Sequence, residues 1–410
     1  MESNFSSPQG LQHSSSENET VHPRIPNGEP PFSGKKLRLL YVSNPNSIHT
    51  RRWVSWFAKR GHMVCLLADV PPKGSWSEVQ VIDLSKFFYA PIIRFPIWAI
   101  WLRRFIHQWR PDILHAHRVN SAGWLAAAAG FHPLVVTPWG SDVMLGPQRS
   151  RLLNFLARFT LRGADKVTVS SQAISEKVLE LGASEESLVK IYYGVDLNIF
   201  SPRPTSRQEN VQQRRQLSFP EVGPLIFSPR AIHPIYNQDI LLQAVPLVLK
   251  RFPTACFFFV AFNVNVEYKQ ELDRIIDQLG LGGSVRWLPA TSSPADMVTR
   301  YNLSDIVVSI PSSDGAPVTV MEAMACGKPL ICSDLPALRE SITNGENGWI
   351  VPVRQVSPLA EAIIRALEQP DQAAQIGRKA RQLVTERANL EVEMQRMEAV
   401  YYQLAGFTKD

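Results

Sequence analysis

Residues 305–333 read DIVVSIPSSDGAPVTVMEAMACGKPLICS, and this stretch is the strongest indication of the fold class. Its two ends, 305–310 and 329–333, are almost continuously apolar, which indicates strands that are buried on both faces of a parallel sheet. Between them lie a polar loop and a helix predicted over 318–326, so the stretch forms one strand–helix–strand unit. Such units are typical of doubly wound α/β folds.

The same alternation runs through both halves of the chain, and a polar segment separates the halves. The segment 201–222 is rich in Pro, Gln and Arg, has no hydrophobic periodicity and is predicted to be a linker. We predict a Rossmann-like domain over 35–200, a second over 223–386, and a last helix, 387–406, that crosses back onto the first domain. The predicted strands are 37–43, 63–68, 112–117, 133–138 and 166–171, then 224–229, 255–262, 285–289, 305–310, 329–333 and 349–353.

Charge is unevenly distributed along the 410 residues. The net charge is +6, but residues 35–202 carry 21 Lys and Arg against 11 Asp and Glu, whereas residues 203–410 carry 21 against 22. The first domain is therefore predicted to face something anionic, such as phosphate, a membrane surface or nucleic acid. No nucleic-acid-binding motif accompanies this charge, so nucleic acid is not expected as a partner.

Cysteine usage and apolar runs predict the compartment. Four scattered cysteines without a CxxC pair disfavour disulfides and structural zinc, so we expect a reduced, cytoplasmic chain. Residues 1–34 are polar, lack the apolar core of a secretory signal and are predicted to be a disordered tail. The uncharged run 119–141 is interrupted by Gly and Pro, which predicts a helix and a strand rather than a membrane span.

The loop and helix at 311–329 hold the first candidate site residues. The free backbone amides near Val318, together with the helix dipole, suit a diphosphate. Glu322, one turn into the helix, is within reach of a neighbouring diol, and Asp314 can approach the same ligand from the other side. The alternative is an ordinary strand–helix loop with acidic side chains on the surface.

This segment also carries a resemblance to a known family. An acidic residue at Asp314, seven spacers, Glu322 and then AMACGKP resemble the signature of the retaining GT-B glycosyltransferases of family 4, and YGVDLNIFSP at 193–202 resembles the end of their first domain. The resemblance covers most of residues 37–405. It implies two Rossmann-like domains facing across a cleft, a nucleotide-diphosphate sugar as co-substrate, and neither a cofactor nor a metal ion.

The resemblance also implies roles for the residues of the second domain. Glu322 would hold the ribose hydroxyls of the donor, and Asp314 would contact hydroxyls of the transferred hexose, although the family usually has Glu at that position. Gly315 and the backbone amides of Val318 and Thr319 would lie against the phosphates, whereas the proline before them has no amide hydrogen to donate.

Arg230 follows the strand 224–229, and the family places an Arg there and a Lys five or six residues later, both on the diphosphate. This chain departs from the pattern, because Ile235 and Tyr236 stand where the Lys would be. Tyr236 or Asn237 can donate a hydrogen bond to the phosphates but neither supplies charge. Another basic residue, Arg51 or Arg52 of the facing domain, is expected to compensate, or donor affinity is weakened.

Two histidines lie near the end of the strand 112–117. His115 and His117 are two residues apart, so they share a face of the strand unless the second has left it. The family places the second histidine at the reacting end of the sugar, which assigns His117 to positioning donor and acceptor. His115 is expected to be structural.

The remaining candidates of the first domain follow the family by position. Gly140 would let the backbone approach the ligand, and Asp142 would contact the acceptor or orient His117. The loop 43–53 lacks the double glycine of many family members, and His49 with the two arginines after it would take over part of that role on the acceptor side.

The segment 87–110 combines an aromatic stripe with arginines. Trp98, Trp101, Phe105 and Trp109 recur every three or four residues, beside Arg103, Arg104 and Arg110. The stripe is either a core-facing helix face with a solvated basic edge, or a surface that docks peripherally on anionic lipid at the inner membrane face.

The predicted function is transfer of a hexose, with retained anomeric configuration, to a glycan or lipid-linked acceptor. The alternatives are a GT-B nucleotide-sugar 2-epimerase and a non-catalytic protein that binds sugar nucleotides. Neither a Gly-rich dinucleotide fingerprint nor a Walker lysine loop is present, which disfavours a dehydrogenase or an ATPase.

Overall fold

The computed structural model describes residues 35–87, 91–291, 293–315 and 317–407. The disordered tail predicted over 1–34 lies outside these ranges. Within them, the strands form two separate parallel sheets of seven and six strands, which are covered by helices. This is the α/β architecture with two doubly wound domains that the sequence predicts.

The first sheet has the strand order β3-β2-β1-β4-β5-β6-β7. Its central strands are apolar and buried along almost their whole length, as parallel strands covered on both faces must be. The strands are β1 Arg38–Ser43, β2 Met63–Ala68, β3 Gln80–Asp83, β4 Ile113–His117, β5 Leu134–Thr137, β6 Lys166–Val169 and β7 Leu188–Lys190.

The second sheet repeats this plan with the order β10-β9-β8-β11-β12-β13. Its strands are β8 Leu225–Ser228, β9 Cys256–Ala261, β10 Val285–Pro289, β11 Ile306–Ser309, β12 Leu330–Ser333 and β13 Trp349–Val351. All neighbouring strands are parallel, so every strand ends at the same edge of its sheet.

Helices connect the strands and cover both faces of each sheet. Those of the first half are α1 Ile48–Lys59, α2 Pro91–Trp109, α3 Ser121–Ala129, α4 Ser141–Met144, α5 Arg151–Arg162 and α6 Gln172–Glu180. The others are α7 Arg207–Gln216, α8 Gln238–Leu249, α9 Val266–Gln278, α10 Pro294–Leu303, α11 Val318–Ala325, α12 Pro336–Arg339, α13 Val356–Glu368, α14 Pro370–Arg387 and α15 Leu390–Leu404.

The strand order reverses once in each sheet, and this positions the site. The reversal lies between β1 and β4 in the first sheet and between β8 and β11 in the second. Ligands of open α/β sheets bind where the strands end at such a reversal. His117 ends β4, while Arg230 and Asp314 follow β8 and β11, so all three lie at these points.

Three local features differ from the predicted pattern. The helix α1 begins at Ile48 rather than at residue 53, because Ser47 caps it, so His49, Arg51 and Arg52 lie on a helix and not in a loop. The predicted linker 201–222 contains α7, which a reciprocal Ser206–Glu209 capping box begins. The short edge strands β3 and β7 have no counterpart in the predicted pattern.

The last helix, α15, packs on the first domain. Met394, Met397 and Tyr401 are buried in one cluster with residues of β1 and α1. The Tyr401 hydroxyl lies 2.7 Å from the hydroxyl of Tyr41 on β1. The last helix therefore completes the hydrophobic core of the first domain.

The aromatic stripe of α2 belongs to the core. Trp98 is buried in the cluster of the first domain, and the same cluster is packed by Trp101, Phe105 and Trp109. The rings of Trp101 and Phe105 are stacked with their centroids 5.1 Å apart. Of the two alternatives, the core-facing helix fits this stripe. The structure does not describe the side chains of residues 87–94. Across the described residues, none of the helices has the length and apolar character needed to cross a bilayer.

Candidate active site

Arg230 lies at the edge of the second sheet where the strands end, and its guanidinium is paired with neighbouring side chains. Arg230 is buried, and its Nη2 donates to Asp314 Oδ2 at 2.7 Å while its Nη1 donates to Thr319 Oγ1 at 2.9 Å. The Tyr236 ring lies 4.2 Å from the guanidinium carbon. Burial opposes the charge, but Asp314 and Tyr236 outweigh it and raise the pKa of Arg230. The site thus holds a permanent, oriented cation.

The helix α11 starts beside this guanidinium. Pro317 stands at the N-cap position and gives no side-chain hydrogen bond to the helix. The backbone amides of Val318 and Thr319 therefore stand at a helix start without a side-chain cap, which is the arrangement that binds phosphate groups. Val318 itself packs against the buried cluster of the first domain, so this helix start faces the cleft between the domains.

Glu322 links the two domains. Its Oε1 accepts a hydrogen bond of 2.7 Å from Arg52 Nη2 of the first domain, and its Oε2 accepts one from the Tyr301 hydroxyl. Only 8% of the Glu322 side chain and 15% of the Arg52 side chain are exposed, so this is a largely buried ion pair. Burial raises the pKa of Glu322, and Arg52 counteracts that rise. Arg52 Nη1 is buried without a partner in the described part of the chain.

The two histidines of β4 differ in their partners. Both are buried and share a face, with ring centroids 4.8 Å apart. His115 is fully engaged, because Nδ1 pairs with the Tyr401 hydroxyl and Nε2 with Thr137 Oγ1. Neither nitrogen of His117 has a hydrogen-bond partner among the described residues. A buried polar group without a partner is rare, so His117 is the one available to a ligand.

Aromatic rings surround His117. The centroids of Trp53, Tyr41 and Trp139 lie 5.2, 5.3 and 5.8 Å from that of the imidazole. Burial, with smaller contributions from His49 and Arg118, lowers the pKa of His117 to about 3. The imidazole is therefore neutral at physiological pH and offers one donor and one acceptor nitrogen.

His49 lies beside this aromatic group. Its ring centroid is 4.9 Å from that of Tyr193 and 5.6 Å from that of Trp139. Burial and the charge of Arg52 lower its pKa to about 4, so this imidazole is also neutral. Its place at the cleft is compatible with the predicted contact to the acceptor, which stays a prediction.

Asp142 holds two loops together instead of orienting His117. One carboxylate oxygen accepts from the Val119 amide at 2.7 Å and the other from the Trp139 amide at 2.9 Å. These amides follow β4 and β5, so Asp142 ties the ends of neighbouring strands. Burial raises its pKa, and the two amides offset part of that rise. Asp142 gives no hydrogen bond to His117, and its predicted contact with the acceptor stays a prediction.

Asn237 is likewise engaged inside the protein. Its amide donates to the Ile310 carbonyl and to Ser312 Oγ at 2.8 and 2.9 Å, and its Oδ1 accepts from Arg354 at 2.7 Å. The side chain is fully buried. Asn237 therefore fixes the loop after β11, and its expected hydrogen bond to the phosphates stays a prediction.

The two domains meet at two glycines. A Cβ added to Gly140 would lie 3.2 Å from Gly315 Cα, and one added to Gly315 would lie 2.8 Å from Gly140 Cα. Gly140 also has φ +105°, a conformation that side chains rarely adopt. Each glycine was predicted to let the backbone approach a ligand, and in the structure they let the two backbones approach each other.

Arg118 was not singled out by the sequence. It follows β4 directly, has φ +79° and pairs through Nη2 with Asp69 Oδ2 at 2.8 Å. Its guanidinium carbon lies 5.4 Å from the centroid of the Trp139 ring, next to His117. A non-glycine residue with positive φ at a sheet edge is a common sign of a functional position. Its place right after HAH was the only available signal in the sequence.

The described residues, which omit 1–34, 88–90, 292, 316 and 408–410, contain no group of three or more His, Cys, Asp or Glu placed to hold a metal ion. The four cysteines are buried and unpaired with one another. That the reaction needs no metal stays a prediction.

Two facing doubly wound sheets, with a cation and an uncapped helix start at one edge and an available imidazole at the other, define a GT-B glycosyltransferase. The family model described as glycosyl transferases group 1 matches residues 209–383, and the one described as glycosyl transferase 4-like matches residues 38–171. The chain belongs to the family 4 glycosyltransferases.

Curated relatives are distant in sequence. The D-inositol 3-phosphate glycosyltransferase of Gordonia bronchialis is 25% identical over 286 residues, which cover 66% of this chain and 61% of that protein. The N-acetyl-alpha-D-glucosaminyl L-malate synthase of Bacillus anthracis is 22% identical over 361 residues, which cover 85% of this chain and 91% of that protein. The chain thus spans less than two thirds of the first of these relatives.

Solved structures share the fold. HepE of Anabaena in complex with UDP is similar with a TM-score of 0.75 at 20% identity, and the match covers 90% of this chain and 100% of that chain. Sucrose-phosphate synthase of Thermosynechococcus elongatus has a TM-score of 0.76 at 18% identity, with 91% and 100% covered. At these identities the likeness shows the two-domain fold.

Proposed function

We propose that this chain is a retaining hexosyltransferase that moves a hexose from a nucleotide-diphosphate sugar to a glycan or lipid-linked acceptor. The observation that carries the proposal is the cluster of Arg230, Asp314 and Thr319 at the uncapped start of α11. Negative charge develops on a leaving diphosphate, and a fixed cation beside free amides in a buried site stabilises it. The UDP and UDP-glucose complexes of HepE support this class of donor.

In the proposed reaction, the bond between the anomeric carbon and the diphosphate oxygen breaks, and its electron pair stays on the diphosphate. The acceptor oxygen bonds to the same face of that carbon, and its proton passes to the leaving diphosphate. Arg230 and the α11 amides stabilise the diphosphate throughout. Neutral His117 hydrogen-bonds the sugar near the reacting carbon without adding charge there. Asp314 contacts the sugar hydroxyls.

We further propose that Arg52 supplies the second positive charge on the diphosphate. The lysine of the family is absent, and Arg52 already reaches across the cleft to Glu322, 2.7 Å away. The donor ribose needs the Glu322 carboxylate, so donor binding releases Arg52 from it. The released guanidinium, whose Nη1 is buried without a partner among the described residues, then pairs with the adjacent diphosphate.

Calorimetry with UDP and with uridine tests Arg52. If Arg52 binds the diphosphate, Arg52→Met weakens UDP binding about tenfold or more, while uridine binding does not weaken. If Arg52 only blocks Glu322, the variant binds both ligands more tightly, which contradicts the proposal. Arg51→Met is the matched control, because Arg51 packs over the Trp76 ring at 4.1 Å and donates to the Ser75 carbonyl.

The activity itself is tested with a panel of nucleotide sugars. Thermal shift with nucleoside diphosphates and their sugars finds the donor, and NMR of the product gives the anomeric configuration. Asp314→Ala and Glu322→Ala are expected to abolish transfer, with Asp273→Ala, an exposed partner of Lys269, as control. Sugar interconversion without an acceptor would indicate an epimerase, and tight binding without turnover would indicate a binding protein; either result would overturn the proposal.

A further inference from the structure

The helix α5 exposes an apolar stripe on the first domain. Leu152, Phe155 and Phe159 are 65%, 64% and 44% exposed, and their spacing of three and four residues puts them on one side of the helix. The opposite side, with Ala157 and Leu161, is buried in the core. Large apolar side chains exposed together in this way indicate an interaction surface.

Basic residues border this stripe. Residues 143–164 contain four arginines and no Asp or Glu. Arg149, Arg151 and Arg162 are exposed, whereas Arg158 bonds to Asn154 and is half-buried. The neighbouring acid on α6 is Glu180, which Lys177 already neutralises at 2.6 Å. The surface around the stripe is therefore positively charged.

The positive surface continues onto α2. The helix α3 packs between α5 and α2, and Arg103 of α2 donates to the Ala129 carbonyl at the end of α3. Arg103 and Arg104 are exposed, and so is Ile100, at 54%. These helices pack in one cluster on the first sheet, so the apolar stripe and the arginines lie on the same side of that sheet.

We propose that α5 docks the first domain on an anionic lipid bilayer, with Leu152, Phe155 and Phe159 at the boundary of headgroups and acyl chains and the arginines on lipid phosphates. An exposed apolar stripe bordered by arginines suits an anionic bilayer, which needs no complementary groove. A symmetric pair of chains joined along α5 would instead bring the same arginines face to face, which is repulsive. This docking is independent of the proposed transferase activity.

Co-sedimentation of the full chain with vesicles tests the docking. We expect binding to phosphatidylcholine vesicles that contain about one third phosphatidylglycerol, and little binding to pure phosphatidylcholine. The double variant L152S/F155S is expected to bind at least about tenfold more weakly, and Arg151→Glu more weakly than wild type. The double variant V264S/V266S, which removes exposed apolar side chains from the second domain, is the matched control and should bind like wild type.

Three outcomes would overturn the docking proposal. One is wild-type binding by L152S/F155S with an unchanged thermal midpoint. Another is equal binding of wild type to both vesicle types, or to neither. The third is a halved mass of L152S/F155S in solution, which would assign the stripe to a second copy of the chain. Nucleotide binding, measured on the same samples, keeps this result separate from the transferase proposal.

Discussion

The principal site side chains at the edges of the two sheets differ in their partners. At the second edge, Arg230 and Asp314 are paired with each other, and Glu322 is paired with Arg52. At the first edge, His117 is buried with both nitrogens unpartnered among the described residues. In the proposed reaction, the donor would exchange existing ion pairs for its own contacts, whereas His117 would gain hydrogen bonds that the described residues do not provide.

This contrast has an energetic consequence. Leaving a buried polar group without a partner costs about 1–3 kcal/mol, so a ligand or a water molecule that hydrogen-bonds to His117 would remove this cost. Exchanging one ion pair for another changes the free energy much less, but it orients the cation before the donor arrives. On the proposed function, the second edge would orient the diphosphate and the first would recognise the sugar.

The largest effect is expected at the paired edge. Replacing Arg230 by Met removes the charge that stabilises the leaving diphosphate, and we expect the rate of transfer to fall by about 10³-fold. Steady-state release of nucleoside diphosphate measures it. Arg251→Met is the control, because Arg251 pairs with Glu368 on the exposed surface. A rate near wild type for R230M would mean that the second edge is not the diphosphate site.

The next effect separates the two histidines. We expect His117→Phe to lower the transfer rate by about 10²-fold with little loss of stability, since no protein group loses a partner. His115→Phe leaves the Tyr401 and Thr137 hydroxyls without that partner and should cost about 1–3 kcal/mol of unfolding free energy with a smaller effect on rate. Urea unfolding measures the stability of both variants, and turnover measures their rates. If H115F lost more rate and H117F lost more stability, His115 would be the reacting-site histidine and His117 the structural one.

The third prediction concerns pH. The folded state keeps His117 neutral down to about pH 3, whereas the unfolded chain takes up this proton below its ordinary pKa near 6.5. The contribution of His117 to the unfolding free energy is therefore fully present above about pH 7. It is lost as the pH falls, by about 2 kcal/mol at pH 5. Urea unfolding at the two pH values should show that H117F loses about 2 kcal/mol less than wild type. Equal losses would mean that His117 is not kept neutral.

The smallest effect is expected from metal removal. Because Arg230 and backbone amides are proposed to stabilise the diphosphate, treatment with a chelator should change the transfer rate by less than about twofold. Turnover before and after EDTA, and again after added Mg²⁺, measures this. A loss restored by Mg²⁺ would show that the paired edge needs a further cation.

The sequence predicted the sheets and the residues that end their strands, because buried parallel strands are continuously apolar and the site residues follow them directly. The last helix, predicted within 387–406, spans Leu390–Leu404 in the structure. Short edge strands such as β3 lack enough apolar residues to show a pattern. The helix α7 is polar throughout, and only the Ser206–Glu209 capping box indicated it.

Pairings across the cleft could not be predicted from local pattern. Arg52 and Glu322 are 270 positions apart, and their contact depends on how the two domains face each other. The engagement of Asn237 and Asp142 inside the protein also depends on tertiary packing. The sequence suggests both residues for a ligand site, but it does not show which side chains find hydrogen-bond partners within the protein.

The position of α15 constrains how the protein is synthesised. Tyr401 bonds to His115 on the strand that carries His117, and the helix seals the cluster around Tyr41 and Trp53. About 200 residues separate β7 from this helix, which at about 5–20 residues per second takes the ribosome roughly 10–40 s. During that interval the nascent first domain exposes an unfinished hydrophobic surface, to which chaperones would bind until α15 packs on it.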